Sequence, residues 1–88
     1  MDERKRAANL ARHGIDFTAI VRFDWETANF EEDKRRDYGE VRVIGVGRIG
    51  LRIHVAVFTQ RGQSIRLISL RKANERETRH YEESQGQI

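Results

Sequence analysis

A carboxylate, an imidazole and several guanidinium groups lie in the middle of this sequence at a spacing that could place them on one surface. Glu40 and Arg42 are two residues apart in one segment, and Arg52 and His54 are two residues apart in the next. Residues two apart in a β-strand point to the same face of the sheet. If these segments are neighbouring strands, we expect one polar face to gather these four side chains, while valine and isoleucine fill the opposite face.

This combination of side chains suits cleavage of an RNA phosphodiester without a metal ion. A base takes the proton of the 2′-hydroxyl, an acid protonates the leaving 5′-oxygen, and cations stabilise the charge of the crowded phosphorane. Histidine titrates near neutrality, so His54 can serve either step, and Glu40 is the other candidate proton carrier. Arg61 in the following turn and Arg71 just past the third strand add positive charge. We expect no metal ion and no cofactor.

Structural explanations of the same residues stay open. A Glu–Arg pair across strands is a common structural ion pair, and a histidine such as His54 can simply fill a polar face. His13 in a last helical turn would complement the helix dipole, and His80 beside Tyr81 is either a solvated helical histidine or a group that reaches over the sheet. The acids of the segment 24–37 match no metal-ligand loop, so we expect them to be solvated or to attract basic groups. These acids are Asp24, Glu26, Glu31, Glu32, Asp33 and Asp37.

The net charge of +3 hides an uneven distribution along the chain. Residues 41–70 carry five arginines and no acid, whereas residues 14–40 carry four basic and eight acidic side chains. Arginine, which outnumbers lysine by 14 to three, presents a planar fork suited to phosphate. The alternative is that strand positions facing water must be polar. The phosphate interpretation predicts RNA-binding residues, which are Arg52, Arg66, Lys72 and His80.

The elements that must position these residues can be read from the sequence pattern. Residues 3–13 favour a helix that ends at Gly14, and Asp16 can cap a second helix with Phe17, Ile20, Val21 and Phe23 facing inward. The acidic segment 24–37 has no clear period. We interpret it as a loop or a frayed short element.

Period-two patterning then predicts an antiparallel meander. Val41 and Val43 belong to the first strand, a turn follows at 47–50, and Leu51, Ile53, Val55 and Val57 form the apolar side of the second strand. A turn at 60–63 leads to a third strand at 64–70, both faces of which are partly apolar. These runs predict three strands joined by short turns.

A C-terminal helix is predicted for residues 72–83. Asn74 and Glu77 resemble a capping pair, and Glu75 and Arg79 have the spacing of a favourable ion pair. Only Ala73 and Tyr81 offer this helix apolar surface to bury, so we expect a partner to cover it. The fold class is therefore α+β, with N-terminal helices packed on an antiparallel sheet and a helix after it.

Length and composition bound the remaining possibilities. With 88 residues, no cysteine and no proline, the chain is expected to form a single domain over residues 1–88 with a thin core. The absence of cysteine excludes disulfides and thiolate metal sites. No apolar run reaches the length of a membrane span, and the N-terminus is charged where a signal peptide would be apolar. We expect a cytoplasmic protein with no membrane partner.

Three stretches of the chain resemble the BrnT toxins of type II toxin–antitoxin systems. KRAANLARHGIDF at residues 5–17 is similar to that family's "K…N…KHG…F" opening, and Glu40 with Arg42 matches its central E-x-R. RLISLRKANERETRHYE at residues 66–82 is similar to its closing signature. The resemblance covers nearly the whole chain in the right order.

The resemblance implies a RelE-like fold, an endoribonuclease that inhibits translation, and a DNA-binding antitoxin, BrnA, through which the complex binds operator DNA. The RNA substrate could be ribosome-associated mRNA. Sites of this kind use basic residues from the strands and groups near the C-terminus, which favours Arg61 and His80 as further contributors. The positions carried over from the family motifs are Glu40, Arg42, Arg71 and Tyr81.

Two features depart from the family pattern. Members usually begin with a short strand that ends in a Trp-Asp pair, whereas this sequence starts at Met1-Asp2, so we expect the sheet to lack one edge. Leu70 stands where members often have alanine, which should affect packing only.

Two other function classes stay open from the sequence. The arginine-rich face could hold nucleic acid without cutting it, in which case affinity would fall steeply with salt and cellular RNA would stay intact. The chain could also be a structural subunit whose last helix serves a partner.

Overall fold

The computed structural model describes residues 2–86, and its first helix, α1 (Glu3–His13), has the predicted bounds. The Asp2 carboxylate accepts hydrogen bonds from the backbone N–H groups of Arg4 and Lys5, which satisfies free donors of the first turn. Gly14 ends the helix in the left-handed conformation, with φ of 71°. The local capping signals thus determine both ends of α1.

The predicted second helix is a single short 3₁₀ helix, Phe17–Arg22. Asp16 caps it as expected, because its side chain accepts a hydrogen bond from the backbone N–H of Thr18. Phe17 and Phe23 are buried as predicted. Val21 is 83% exposed, so its inward prediction is wrong. A 3₁₀ helix has three residues per turn and cannot present an α-helical stripe.

The sheet has four antiparallel strands in the order β1-β2-β3-β4. They are β1 (Asn29–Glu32), β2 (Val43–Ile49), β3 (Arg52–Arg61) and β4 (Ser64–Lys72). β1 lies inside the segment 24–37, so the loop prediction is wrong at these four positions. Its polar sequence hides it, because the strand is a sheet edge whose residues are mostly exposed.

The first predicted turn is also misplaced, because β2 continues through Gly47 to Ile49. The chain turns at Gly50 and Leu51 instead, and Leu51 is 97% exposed rather than part of an apolar face. Gly47 serves close packing: a Cβ atom there would lie 2.8 Å from the ring of Phe23 and 2.9 Å from Ala28.

Both faces of the sheet are covered, whereas the sequence predicted one apolar face. The N-terminal face packs on α1 and the 3₁₀ helix, and the opposite face, named the α2 face, packs on the C-terminal helix. A register shift between Val57 and Phe58 explains the ambiguous pattern of the third strand, since it brings both Leu67 and Leu70 to the N-terminal face.

The C-terminal helix, α2 (Glu75–Ser84), begins later than predicted because β4 extends to Lys72. The capping box of Asn74 and Glu77 is confirmed, and so is the burial of Ala73 and Tyr81. The fold is α+β, as expected. Within residues 2–86, no helix is long and apolar enough to cross a membrane.

Candidate functional site

A groove of about 550 Å³ lies between the α2 face of the sheet and α2. We name it the α2 groove. Its floor is aliphatic, because alternate residues of the strands point to this face: Ile44, Val46, Val55, Val57 and Ile68. Its walls are polar and hold four guanidinium groups against three carboxylates: Glu31, Asp33, Arg35, Arg42, Ser69, Arg71, Arg76, Glu77 and His80.

Arg42 immediately precedes β2 and extends along the wall of the groove on an aromatic support. Its Cζ lies 4.0 Å from the centroid of the Tyr38 ring, which is a cation–π contact. Its Nε is shielded from solvent and has no acceptor within residues 2–86. The Nη groups of the same guanidinium are suited to donate to an anion in the groove, for example a phosphate oxygen.

Arg71, near the end of β4, is held by a two-pronged ion pair with Glu77 of α2. Nη1 donates to Oε1 and Nη2 to Oε2, both at 2.8 Å, and the same carboxylate accepts from the backbone N–H of Asn74 at 2.9 Å. The hydrogen bonds from Arg71 lower the pKa of Glu77, although partial burial opposes them. Glu77 is therefore an ionised anchor for Arg71 rather than a proton carrier.

Arg76 and His80 stand four residues apart on α2, so they share one side of the helix. Both side chains are exposed and line the groove. An imidazole is the side chain best suited to exchange protons near neutral pH. The groove is thus lined by an imidazole as well as by guanidinium groups.

The carboxylate of Asp33 is buried in the wall of the groove, and both of its oxygens accept hydrogen bonds. Arg35 donates to it from Nε and Nη2 at 2.8 Å, and the hydroxyl of Tyr38 donates at 2.9 Å. These bonds, from Arg35 above all, hold the pKa of Asp33 well below its usual range despite its burial. The carboxylate is therefore ionised at neutral pH.

The polar face expected from Glu40, Arg42, Arg52 and His54 does not form. The two-residue turn pairs Ile49 with Arg52, so odd-numbered residues of β2 share a face with even-numbered residues of β3. The side chain of Arg42 therefore lies on the α2 face, whereas that of His54 lies on the N-terminal face. The expected face requires a turn with an odd number of residues, whereas the predicted turn at 47–50 and the observed turn both have an even number.

His54 is only 6% exposed and lies outside the groove. Its Nδ1 donates to the carbonyl oxygen of Arg52 at 2.9 Å, and burial lowers its pKa. Arg52 is exposed at the start of β3, where its Nη2 lies 3.5 Å from the carbonyl oxygen of Ala73. These contacts match the alternative in which His54 fills space.

Glu40 and Arg61 pair with each other at 3.1 Å, and neither lines the groove. A Glu–Arg ion pair, which the sequence left open as a structural explanation, is thus present between Glu40 and Arg61. Each catalytic role stays a prediction.

Tyr81, a residue of α2, is fully buried and does not line the groove. Its hydroxyl shares a 2.8 Å hydrogen bond with the hydroxyl of Thr27, and the guanidinium of Arg48 lies 5.6 Å from its ring centroid. Tyr81 therefore fastens the helix to the sheet.

The remaining RNA-binding candidates are dispersed. Arg66 is exposed and lines a separate pocket with Arg61 at the β3–β4 turn, and Lys72 is exposed at the end of β4. Of the ten candidates from the sequence, the α2 groove contains Arg42, Arg71 and His80.

Comparison with known families decides what kind of protein this is. The model of the family "Ribonuclease toxin, BrnT, of type II toxin-antitoxin system" matches residues 1–77. The chain belongs to the BrnT family. It is thus a ribonuclease toxin, for which RNA is the substrate and an antitoxin the partner. The BrnT match includes Arg42, Arg71 and Arg76 and ends before His80. No curated protein and no solved structure matches the chain significantly.

Several groove residues of this BrnT chain were missed by the sequence analysis. Arg76 was detectable, because its four-residue spacing from His80 on a predicted helix already places the two on one side. Asp33 and Arg35 gave no such signal, since they come from the segment 24–37, which has no clear period.

Proposed function

We propose that the toxin cleaves RNA in the α2 groove, without a metal ion, from a RelE-like domain formed by residues 1–88. The observation that carries this proposal is the convergence of Arg42, Arg71, Arg76 and His80 on one aliphatic-floored groove. A nucleobase can pack on the aliphatic floor while guanidinium groups bind the phosphate beside it.

In the proposed reaction, the guanidinium groups of Arg42, Arg71 and Arg76 bind the scissile phosphate. They stabilise the extra negative charge of the phosphorane, which is greatest in the transition state. The position of Arg42 in the wall of the groove supports this role. Arg71 is held in place by Glu77, so it needs little reordering to bind.

His80 is the proposed proton carrier. The 2′-oxygen loses its proton and attacks phosphorus, the bond from phosphorus to the 5′-oxygen breaks, and that oxygen takes up a proton. The products are a 2′,3′-cyclic phosphate and a 5′-hydroxyl. Glu40 and His54 stay alternative proton carriers from the sequence, without a contact to the groove that supports them.

The family resemblance supports the proposed cellular context. We propose that the antitoxin is a BrnA-like DNA-binding protein, that the complex binds operator DNA through it, and that RNA cleavage inhibits translation in the cytoplasm. Co-expression tests this context: the toxin alone should stop growth, and the antitoxin should restore it. Growth arrest with intact cellular RNA would favour binding without cleavage.

A purified-component assay tests the chemistry. The wild-type toxin, freed of antitoxin, is incubated with a fluorescent RNA oligonucleotide of mixed sequence in the presence of EDTA. We expect cleavage to continue and to leave 2′,3′-cyclic phosphate ends. His80→Gln should lower the rate about 100-fold, whereas His13→Gln, at the end of α1, is the matched control. Activity that EDTA abolishes, or an equal effect of both variants, would contradict the mechanism.

A further inference from the structure

Tyr38 links a buried carboxylate to a cation of the α2 groove. Its hydroxyl donates to Oδ2 of Asp33 at 2.9 Å, and its ring centroid lies 4.0 Å from Cζ of Arg42. The Asp33 side chain is 1% exposed, so the acceptor that holds the tyrosine is itself fixed in the protein. The ring is therefore held at its hydroxyl end and contacts Arg42 through its π-system.

The segment between Asp33 and Arg42 is closed by further bonds. The backbone N–H of Asp33 donates to the carbonyl oxygen of Arg42 at 2.7 Å, which fastens the two ends of the segment together. Arg35 binds the Asp33 carboxylate through its backbone N–H and its guanidinium. The backbone and the side chain of Asp33 thus determine the position of the Tyr38 ring relative to Arg42.

Arg42 needs such a support. Its Nε has no acceptor within residues 2–86, so no hydrogen bond from that atom orients the guanidinium. An aromatic face attracts a guanidinium at this distance and leaves its Nη donors available, because the contact uses the plane of the group. The support therefore fixes the direction of the cation and keeps its donors for a ligand.

We propose that Tyr38, held by Asp33, is a positioning residue that presents Arg42 to RNA phosphate in the groove. This inference rests on the proposed function, because it takes Arg42 as a phosphate-binding residue. Tyr38 touches no substrate in this scheme. It acts by restricting Arg42 to the orientation that binds phosphate.

Cleavage kinetics test the functional half of the proposal. Tyr38→Leu removes the ring and should lower kcat/KM for the RNA oligonucleotide about tenfold. Tyr38→Phe keeps the ring but loses the bond to Asp33, so its kcat/KM should lie between those of the wild type and Tyr38→Leu. In an Arg42→Ala background, Tyr38→Leu should cause little further loss, since the group that it positions is gone. Losses that multiply in the double variant, or a Phe variant as active as the wild type, would overturn the proposal.

Nuclear magnetic resonance of the free toxin tests the structural half without any substrate. The Arg42 Nε–H signal should be displaced upfield by the ring in the wild type and in Tyr38→Phe, and should lose that displacement in Tyr38→Leu. An unchanged signal in Tyr38→Leu, with the fold intact by circular dichroism, would overturn the positioning role. If Arg42→Ala cleaves RNA normally, the proposed phosphate contact fails, while this measurement still decides whether Tyr38 positions Arg42.

Discussion

The side-chain amide of Asn9 on α1 makes both hydrogen bonds that a neighbouring strand would make to Leu70 of β4. Its Nδ2 donates to the Leu70 carbonyl oxygen at 2.7 Å, and its Oδ1 accepts from the Leu70 backbone N–H at 3.0 Å. The same Nδ2 donates to the carbonyl oxygen of Ile15. Since β4 is a sheet edge, Asn9 satisfies backbone groups that would otherwise be buried without partners.

Replacing Asn9 by alanine should therefore destabilise the toxin strongly. Asn9→Ala leaves the N–H and C=O of Leu70 unpaired in a buried site, and we expect the free energy of unfolding to fall by about 2 kcal/mol. Urea titration followed by circular dichroism measures this. Asn29→Ala is the matched control, because Asn29 makes an exposed hydrogen bond to Ser84 and should change stability by less than about 0.5 kcal/mol. Equal effects of the two variants would contradict the edge-pairing role.

The two glycines of β2 should differ in their tolerance of a methyl group. Gly47→Ala places a Cβ atom 2.8 Å from the buried ring of Phe23, so we expect a loss of about 1–3 kcal/mol in the free energy of unfolding. Gly45→Ala meets Phe30 at 2.9 Å, but that ring is 46% exposed and can turn away. The smaller loss should therefore belong to Gly45→Ala. Thermal melts of both variants would show the order, and a reversed order would be inconsistent with this packing.

Alanine variants of two arginines in α2 should show whether RNA cleavage depends on the groove side of the helix. Arg76→Ala removes a cation from the groove and should lower kcat/KM for RNA about 10²-fold. Arg79→Ala removes the same side chain from the part of α2 that pairs with Glu75, outside the groove, and serves as the control. Both residues are exposed, so neither change should unfold the protein. Similar activity of the two variants would argue against phosphate binding in the groove.

Acid should weaken the contact between α2 and β4. Arg71 lowers the pKa of Glu77 in the folded state below the ordinary value of 4.5. The resulting stabilisation is present above that value and is lost as pH falls through the folded pKa, because the unfolded chain then binds the proton more readily. Glu77→Gln should cost about 1 kcal/mol at neutral pH, and the difference from wild type should shrink as the pH falls through the folded pKa of Glu77.

Urea titrations of both proteins at several pH values measure that difference, in which the other carboxylates largely cancel. A difference that stays constant with pH would show that the Glu77 charge contributes nothing to folding.

Features set by neighbouring residues were predictable from the sequence. The ends of α1, the cap of the 3₁₀ helix and the capping box of α2 each depend on contacts within a few residues, and Asp2, Gly14 and Asn74 are suited to them. The burial of Tyr81 followed from the scarcity of apolar residues on its helix. In each case the feature is determined by residues that lie close together in the sequence.

The assignment of residues to sheet faces could not be predicted in this way. A change of one residue in the length of the β2–β3 turn exchanges the faces of all residues in one strand relative to the other. The expected face requires a turn with an odd number of residues, whereas the observed turn has two, so Arg42 and His54 lie on opposite faces. β1 was missed for a related reason: its pairing with β2 comes from tertiary contacts, and its own sequence has no apolar alternation. Arg42 therefore lines the α2 groove without the polar neighbours that the sequence predicted for it.

The order of the strands has a consequence for how the toxin is made on the ribosome. Each strand pairs with the strand next to it in the chain, so the sheet can assemble in the order of its synthesis. The helix that carries Arg76 and His80 follows all four strands in the chain, so it emerges after them. A nascent chain therefore holds the floor of the groove and Arg42 before it holds the opposite wall.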